Sequence, residues 1–203
     1  RLNIDSPQAL EALQFLVDLQ VRHHVVPDAA AEKSEDSETR FMNGRTAMYF
    51  DSRRATPTFR EITAFNWDVA PLPQRQSQAS VLHSDAYCLT KATVNKDAAW
   101  TFIEFANSPE GQTLVAQSGR TVPSLKAVAQ SSAFLEPGQK PARSQVFLDA
   151  LPAMRTLPIL KNWVDIEEVF GAEFERAFYT GAPLPEVVKT IIERTRIFFT
   201  ENE

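Results

Sequence analysis

Residues 95–124 read NKDAAWTFIEFANSPEGQTLVAQSGRTVPS, and this stretch decides the fold. Apolar residues recur at helical spacing after Asn95, which suits the N-cap position: Ala99, Phe102, Ile103 and Ala106. Ser108 and Pro109 have the residue types of a second N-cap and a first helical position, and Gly119 is a typical helix end. The stretch therefore predicts two consecutive helices joined by a short turn.

Helices are also predicted at both ends of the chain. Ser6 and Pro7 form a second start signal, followed by apolar residues at helical spacing: Leu10, Leu13, Leu16, Val17 and Val21. Two amphipathic segments, 163–179 and 185–199, predict a closing pair of helices with one apolar stripe each. The acidic, alanine-rich stretch 28–36 lacks periodicity and is predicted to be a solvated loop.

Strand formers lie between these helices. TAMYF (46–50), NWDVAPLP (66–73) and SVLHSDAYCLT (80–90) predict strands, and a short helix closed by Gly44 is expected before the first of them. The third strand is broken by three adjacent polar residues, which fits a cleft or a domain crossing better than a buried core. Strands alternating with helices predict an α/β layered protein in which helix outweighs strand.

Composition excludes several classes of protein. The chain has 203 residues, 43% apolar and 23% charged, with a net charge of −5 and no basic cluster, which argues against nucleic-acid binding. No apolar run approaches the ~20 residues that span a bilayer. One cysteine, Cys88, and three histidines leave no disulfide or zinc cluster. No cofactor or metal is expected, and Cys88 is predicted to be a small buried hydrophobe.

The candidate binding residues are polar and aromatic side chains at points where the chain changes direction. They are Asp51, Ser52, Arg53, Arg54, His83, Ser84, Asp85, Tyr87, Gly119, Arg120 and Trp163. Arginine donors, aspartate acceptors and an aromatic face together suit a hydroxyl-rich ligand. A surface pair at Arg53–Arg54 and a core position for Trp163 remain open as structural alternatives.

Three motifs in a fixed order carry a resemblance to a known family. They are F-x-x-G-x-x-A-M at 41–48, A-P-L-P at 70–73, and A-A-W-x-F-I-E-F…S-P-E-G-Q…G-x-x-V-P-S at 98–124. Together they resemble the C-terminal half of the family 1 extracellular solute-binding proteins, the carbohydrate-binding subunits of ABC importers related to maltose-binding protein. On this resemblance the chain is interpreted as a fragment of such a receptor.

The resemblance implies a helix-rich α/β fold of the type II periplasmic-binding-protein kind, comprising the C-terminal lobe and a segment of the N-terminal lobe. Residues 1–82 would form the first part of the C-terminal lobe, 83–122 a crossover segment belonging to the N-terminal lobe, and 123–203 the second part of the C-terminal lobe. The predicted site residues would then line an interlobe cleft, which closes around its ligand.

The same resemblance implies an activity, partners and a location. The protein would bind a sugar or sugar derivative and deliver it to the transmembrane subunits of an ABC permease, in the periplasm or at the cell surface. Membrane contact would come only through that permease or a lipid anchor on a missing N-terminal part. Many family members carry Gly-x-Trp where this chain has Ser52-Arg53-Arg54. This difference favours a more polar or anionic ligand, such as a phosphorylated or acidic sugar.

Two other hypotheses come from different classes of protein. A small glycoside hydrolase could use His83 and Asp85, which lie two residues apart and could face the same side of an extended segment. A purely helical interaction module could use the closing helices as its docking surface. The fragment hypothesis also predicts dimerisation of the isolated chain, because apolar surface covered in the whole protein would be exposed.

Overall fold

The computed structural model describes residues 1–200, and most of their regular structure is helical. The helices are α1 (Pro7–Val21), α2 (Ala29–Ser34), α3 (Ser37–Met42), α4 (Thr56–Phe59), α5 (Lys96–Asn107), α6 (Pro109–Gln117), α7 (Lys126–Ala129), α8 (Ser132–Leu135), α9 (Gln145–Asp149), α10 (Trp163–Thr180), α11 (Leu184–Thr195) and α12 (Ile197–Thr200). Short 3₁₀ helices span Arg53–Ala55 and Leu151–Ala153, and the strands are β1 (Ser80–Leu82) and β2 (Met154–Thr156). Each helix within residues 1–200 is too short or too polar to span a bilayer.

The chain forms two compact units. The terminal unit combines residues 1–39 with the chain from Pro158 onward, and the central unit is Arg40–Leu157. These boundaries differ from those predicted at 82 and 122. The predicted boundaries concern lobes of a complete two-lobed receptor, so the lobe assignment stays a prediction.

The helices α1, α10 and α11 form the core of the terminal unit. Helix α1 starts as predicted, with the Oγ of Ser6 accepting a hydrogen bond from the backbone N–H of Ala9 at 3.3 Å. The core between the helices comprises Val17, Ala177, Leu184, Val187, Val188 and Ile191. Because the apolar stripes of α10 and α11 are buried against α1 and each other, they are not available as the docking surface of a helical module.

An ion-pair cluster fixes α10 to α11 at one point. The carboxylate of Glu173 is nearly buried and accepts hydrogen bonds from Arg176 at 2.6 Å and from Arg194 at 2.5 Å. The hydrogen bond from Arg176, followed by that from Arg194, holds the pKa of Glu173 below its ordinary value. Arg194 lies on α11, so this carboxylate links the two helices.

The loop predicted over 28–36 is wrong, because α2 occupies most of it. The Oδ1 of Asp28 caps this helix by accepting a hydrogen bond from the backbone N–H of Ala31 at 2.8 Å. Alanine has the highest helix propensity, and an Asp N-cap adds about 1 kcal/mol, so a short helix forms without an apolar stripe. The missed signal was the cap followed by three alanines.

The predicted strands over 46–50 and 66–73 are also wrong. A strand exists only through hydrogen bonds to a neighbouring strand, and the pairing within residues 1–200 is confined to β1 and β2. These run parallel, with Val81 opposite Arg155. The segment 46–50 leaves Met48 and Phe50 exposed, and it has the composition of a strand although no strand of the described residues pairs with it. The predicted strand over 80–90 forms only at its first three residues.

The helices predicted from the opening stretch are confirmed in the central unit. Ser108 caps α6, accepting a hydrogen bond from the backbone N–H of Gly111 at 3.2 Å. A Cβ atom on Gly111 would lie 2.1 Å from the carbonyl oxygen of Phe105, so the tight packing of α6 against the end of α5 requires glycine there. This contact explains the glycine of the S-P-E-G-Q motif.

Two apolar clusters form the cores of the central unit. One consists of Ala55, Phe59, Ile62 and Trp67, and the other of Ala116, Val128 and Phe134. By contrast, Cys88 is exposed, so its prediction as a buried hydrophobe is wrong. Beyond Leu82 the chain continues without a strand partner among the described residues, so nothing covers the Cys88 side chain.

Candidate functional site

The segment 51–54 turns the chain into the 3₁₀ helix that begins at Arg53. The Oδ1 of Asp51 accepts a hydrogen bond from the backbone N–H of Ser52 at 2.6 Å, and the Oγ of Ser52 accepts one from the backbone N–H of Arg54 at 3.3 Å. The side chains of Asp51, Ser52 and Arg54 are exposed. Three of the four predicted residues here therefore present polar groups to solvent on a turn fixed by local hydrogen bonds.

In contrast to these three exposed side chains, Arg53 is buried, with 3% of its surface exposed. Its Nη1 donates to the Oγ of Ser144, and its Nη2 donates to the carbonyl oxygen of Phe134 and to Oε2 of Glu136, all at 3.2 Å. The guanidinium also lies 4.1 Å from the centre of the Phe134 ring. Burial lowers the pKa of Arg53 to about 10, although the Glu136 carboxylate opposes that shift. Arg53 is thus charged at neutral pH and bonded within the protein.

Glu136 joins this arginine to a second one. Its Oε2 also accepts a hydrogen bond from Nη2 of Arg60 at 2.5 Å, and the side chain is 9% exposed. The Nε of Arg60 donates to the carbonyl oxygen of Lys140 at 2.7 Å. We call Arg53, Glu136 and Arg60 the Glu136 cluster. It is a nearly buried carboxylate shared by two cations.

The Glu136 cluster brings two of the predicted groups together. The guanidinium of Arg60 lies against Gly119, whose φ of +77° places it in the left-handed region that favours glycine. Arg120 follows with an exposed side chain. Contacts from Arg53 through Glu136 and Arg60 to Gly119 therefore connect the turn at 51–54 with the turn at 119–120.

His83, Ser84 and Asp85 follow directly after β1, and all three are exposed. Within residues 1–200, the side chains of His83 and Asp85 make no hydrogen bond, and no contact joins either to the Glu136 cluster. Tyr87 is half-exposed and packs edge-on against Phe102, with 5.7 Å between ring centres. The paired base and orienting acid that a His83–Asp85 hydrolase needs are not assembled in this part of the chain.

Trp163 opens α10 in the terminal unit. It is partly buried, and its Nε1 donates a hydrogen bond to Oε1 of Glu167 at 2.8 Å. Its indole edge is thus bonded within its own helix. The ligand role predicted for Trp163 stays a prediction.

Sequence reasoning missed Glu136 and Arg60. Glu136 lies in an irregular stretch before Pro137, where no periodicity marks a buried position, and its φ of 44° is rare for a residue with a side chain. Arg60 follows a short helix, where no local pattern marks an arginine as a partner of a buried carboxylate. Gly119 leaves space beside it for a large side chain, but the sequence does not indicate that Arg60 fills this space.

A separate depression of about 630 Å³ lies beside α6 and α8. Its walls are mainly polar: Thr113, Gln117, Ser131, Ser132, Glu136 and Gln139. Glu136 is shared with the cluster, but the depression contains none of the residues predicted from sequence. Within residues 1–200, no group of three or more His, Cys, Asp or Glu side chains could hold a metal ion.

Solved structures share this fold over nearly the whole chain. An ABC substrate-binding protein from Listeria monocytogenes in complex with cycloalternan superposes with a TM-score of 0.82 and 22% identity, covering 96% of this chain and 50% of that one. Maltose-bound MalE3 of T. maritima gives 0.80 and 24%, covering 97% and 52%. UgpB from Mycobacterium tuberculosis in complex with glycerophosphocholine gives 0.76 and 20%, covering 97% and 50%.

These likenesses confirm the predicted fold class, the helix-rich type II periplasmic-binding-protein fold. The chain spans about half the length of each of the three structures. No curated protein matches the sequence significantly. A family model described as bacterial extracellular solute-binding protein matches residues 1–142, which is well over half of the chain. The chain therefore belongs to the family of bacterial extracellular solute-binding proteins.

Proposed function

We propose that this chain forms part of the solute-binding subunit of an ABC importer and that its solute is a sugar or a sugar derivative. The observation that carries the proposal is the connection of the turns at 51–54 and 119–120 through the Glu136 cluster. Exposed Asp51, Ser52 and Arg54 supply acceptors and donors on one turn, and Arg120 supplies donors on the other. Such groups on neighbouring turns suit the hydroxyl and anionic groups of a polar solute.

The range of ligands in similar folds supports this class of solute. Cycloalternan and maltose are neutral saccharides, whereas glycerophosphocholine carries a phosphate, and each is bound by a protein that shares this fold. Arg54 and Arg120 favour a solute with an anionic group, because guanidinium binds phosphate and carboxylate in a planar, two-bond geometry. We therefore infer a phosphorylated or acidic sugar as the preferred ligand.

Binding of the solute would close the two lobes of the receptor around it. In that arrangement residues 1–82 and 123–203 belong to one lobe and 83–122 to the other. His83, Ser84, Asp85 and Tyr87 would lie at the first crossing, and Gly119 and Arg120 would lie at the return, where the contact between Gly119 and Arg60 keeps this turn with the first lobe when the other lobe moves. A solute that binds the closed state better than the open state shifts the population toward closure, and the permease subunits recognise the closed state. The location would be periplasmic, or extracellular with a membrane anchor.

A thermal-shift screen tests the proposal. The 203-residue chain and its complete gene product are each heated with glucose, maltose, glucose 6-phosphate and glycerophosphocholine. A ligand at 100 times its Kd adds about 2.7 kcal/mol to the stability of the form that binds it, which raises Tm. We expect a saturable rise in Tm for the complete product with at least one of these compounds. No rise with any of them would overturn the proposal.

A further inference from the structure

We propose that Glu136 is a positioning residue that holds the turns at 51–54 and 119–120 together as one rigid part of the solute site. The inference rests on the proposed function, which assigns these two turns to a solute-binding site. The positioning itself follows from contacts within the central unit.

The first argument is that one oxygen of Glu136 binds both cations of the segment 53–60, which is distant from Glu136 in the sequence. Oε2 of Glu136 accepts from Arg53, 83 residues away in the sequence, and from Arg60, 76 residues away. Arg53 belongs to the predicted binding turn, and Arg60 lies against Gly119 in the second turn. A movement of this single carboxylate is therefore transmitted to both turns.

The second argument is the charge balance. Arg53 is almost completely buried, which lowers its pKa, and the positive charge of Arg60 lowers that pKa further. Glu136 is the anion placed between these cations. Without its charge, two guanidinium groups in a poorly solvated region would repel each other, and Arg53 and Arg60 would lose the contacts that hold their segment against Glu136 and Gly119.

The third argument is the backbone of Glu136 itself. Its φ of 44° and ψ of 61° lie in the left-handed region, where a residue with a Cβ atom is strained and glycine is favoured. This position ends α8, as glycine commonly does at helix ends. Glutamate at a glycine position is understandable if its carboxylate is needed for the two ion pairs.

Hydrogen–deuterium exchange of Glu136→Gln tests the positioning without any ligand. We expect exchange in peptides covering 51–56 and 118–123 to become about tenfold faster or more, since both turns lose their shared partner. The matched control is Glu173→Gln, which alters another nearly buried carboxylate bound by two arginines, but in the terminal unit. Faster exchange confined to 132–139, or the same change in both variants, would overturn the proposal.

A second variant guards against misfolding of Glu136→Gln. Arg60→Met removes a more accessible member of the cluster, with 20% of its side chain exposed. If the turns act as one part, exchange increases at 51–56 as well as at 118–123. An increase at 118–123 alone would show that Glu136 does not connect them.

Binding measurements separate this inference from the proposed function. Using maltose and glucose 6-phosphate as probes on the complete gene product, we expect Glu136→Gln to raise Kd about tenfold or more, while Glu173→Gln leaves Kd unchanged. Absence of binding by the unaltered protein would count against the proposed function, and exchange would still decide the positioning. Unchanged Kd in Glu136→Gln, where the unaltered protein binds, would contradict a positioning role.

Discussion

The Nη1 atom of Arg60 lies 2.7 Å from the position that a Cβ atom on Gly119 would occupy. That separation is shorter than any ordinary carbon–nitrogen contact, so a side chain at 119 and the present position of Arg60 are incompatible. The glycine therefore serves both the left-handed backbone of its turn and the seating of the arginine that binds Glu136.

Gly119→Ala should destabilise the protein. The left-handed backbone costs a residue with a Cβ atom about 1–2 kcal/mol, and displacement of Arg60 adds to that cost. Urea unfolding measures the total. The control is the same substitution in an Arg60→Ala background, where only the backbone cost remains. Equal losses in the two backgrounds would contradict the steric role of Arg60.

Two helical glycines should respond to alanine in opposite directions. Gly111→Ala places a Cβ atom 2.1 Å from the carbonyl oxygen of Phe105, and the backbone must shift, so we expect a loss of about 3 kcal/mol. Gly171, on the exposed side of α10, has open space around it, and alanine there should add about 0.5–1 kcal/mol. Denaturant midpoints check both. A neutral Gly111→Ala would disprove the tight contact between α5 and α6.

Glu173 should make the terminal unit sensitive to acid. Its pKa is lowered by hydrogen bonds from Arg176 and Arg194, so its stabilising contribution is complete above the ordinary glutamate pKa of about 4.3. The contribution is lost as the pH falls through the lower folded-state pKa. Glu173→Gln should therefore be less stable than the unaltered protein at pH 7, and the difference should shrink below pH ~4.

Unfolding free energies from pH 7 to pH 3 measure this difference. Asp5→Asn is a suitable control, because Asp5 pairs with Arg1 at an exposed site where an ion pair contributes little. A difference between Glu173→Gln and the unaltered protein that stays constant across this range would contradict the role assigned to the carboxylate.

The sequence was informative where local chemistry decides structure. Ser6 and Ser108 are local caps, and both helices start where they predict. Strands could not be predicted in the same way, because each strand depends on a pairing partner. Here the partners β1 and β2 are separated by more than 70 residues. The segment 46–50 has the composition of a strand, but no strand within residues 1–200 pairs with it.

The candidate site shows the same difference between local signals, which the sequence contains, and contacts between distant residues, which it does not reveal. The turn at 51–54 and the glycine at 119 were identified, because a polar run after an apolar segment and a glycine after a helix are local signals. The Glu136 carboxylate that connects them was missed, since its partners lie 76 and 83 residues away. His83 and Asp85 were grouped by spacing alone, and no contact within residues 1–200 joins them.

Exposed apolar side chains on α5 should make the isolated chain self-associate. Trp100 and Phe102 are 56% and 58% exposed, and Phe105 is 45% exposed. Sedimentation velocity over a concentration series should show dimers that Trp100→Glu weakens. Lys96→Ser, at an exposed polar position of the same helix, should leave association unchanged. A monodisperse monomer at every concentration would refute the prediction.

Arg54 and Arg120 should determine the preference for an anionic solute. A hydrogen bond to a charged group contributes about 1.5–3 kcal/mol, so replacing either arginine by methionine should raise Kd for glucose 6-phosphate by about tenfold or more. The Kd for maltose should change by less than about threefold, because a neutral hydroxyl loses a weaker hydrogen bond. Arg22→Met, at an exposed position in the terminal unit, is the matched control.

Isothermal titration of the complete gene product measures both dissociation constants. Equal increases in Kd for the two ligands would mean that the arginines contribute to binding without distinguishing a charged ligand from a neutral one. An unchanged Kd for both ligands would mean that Arg54 and Arg120 do not belong to the site.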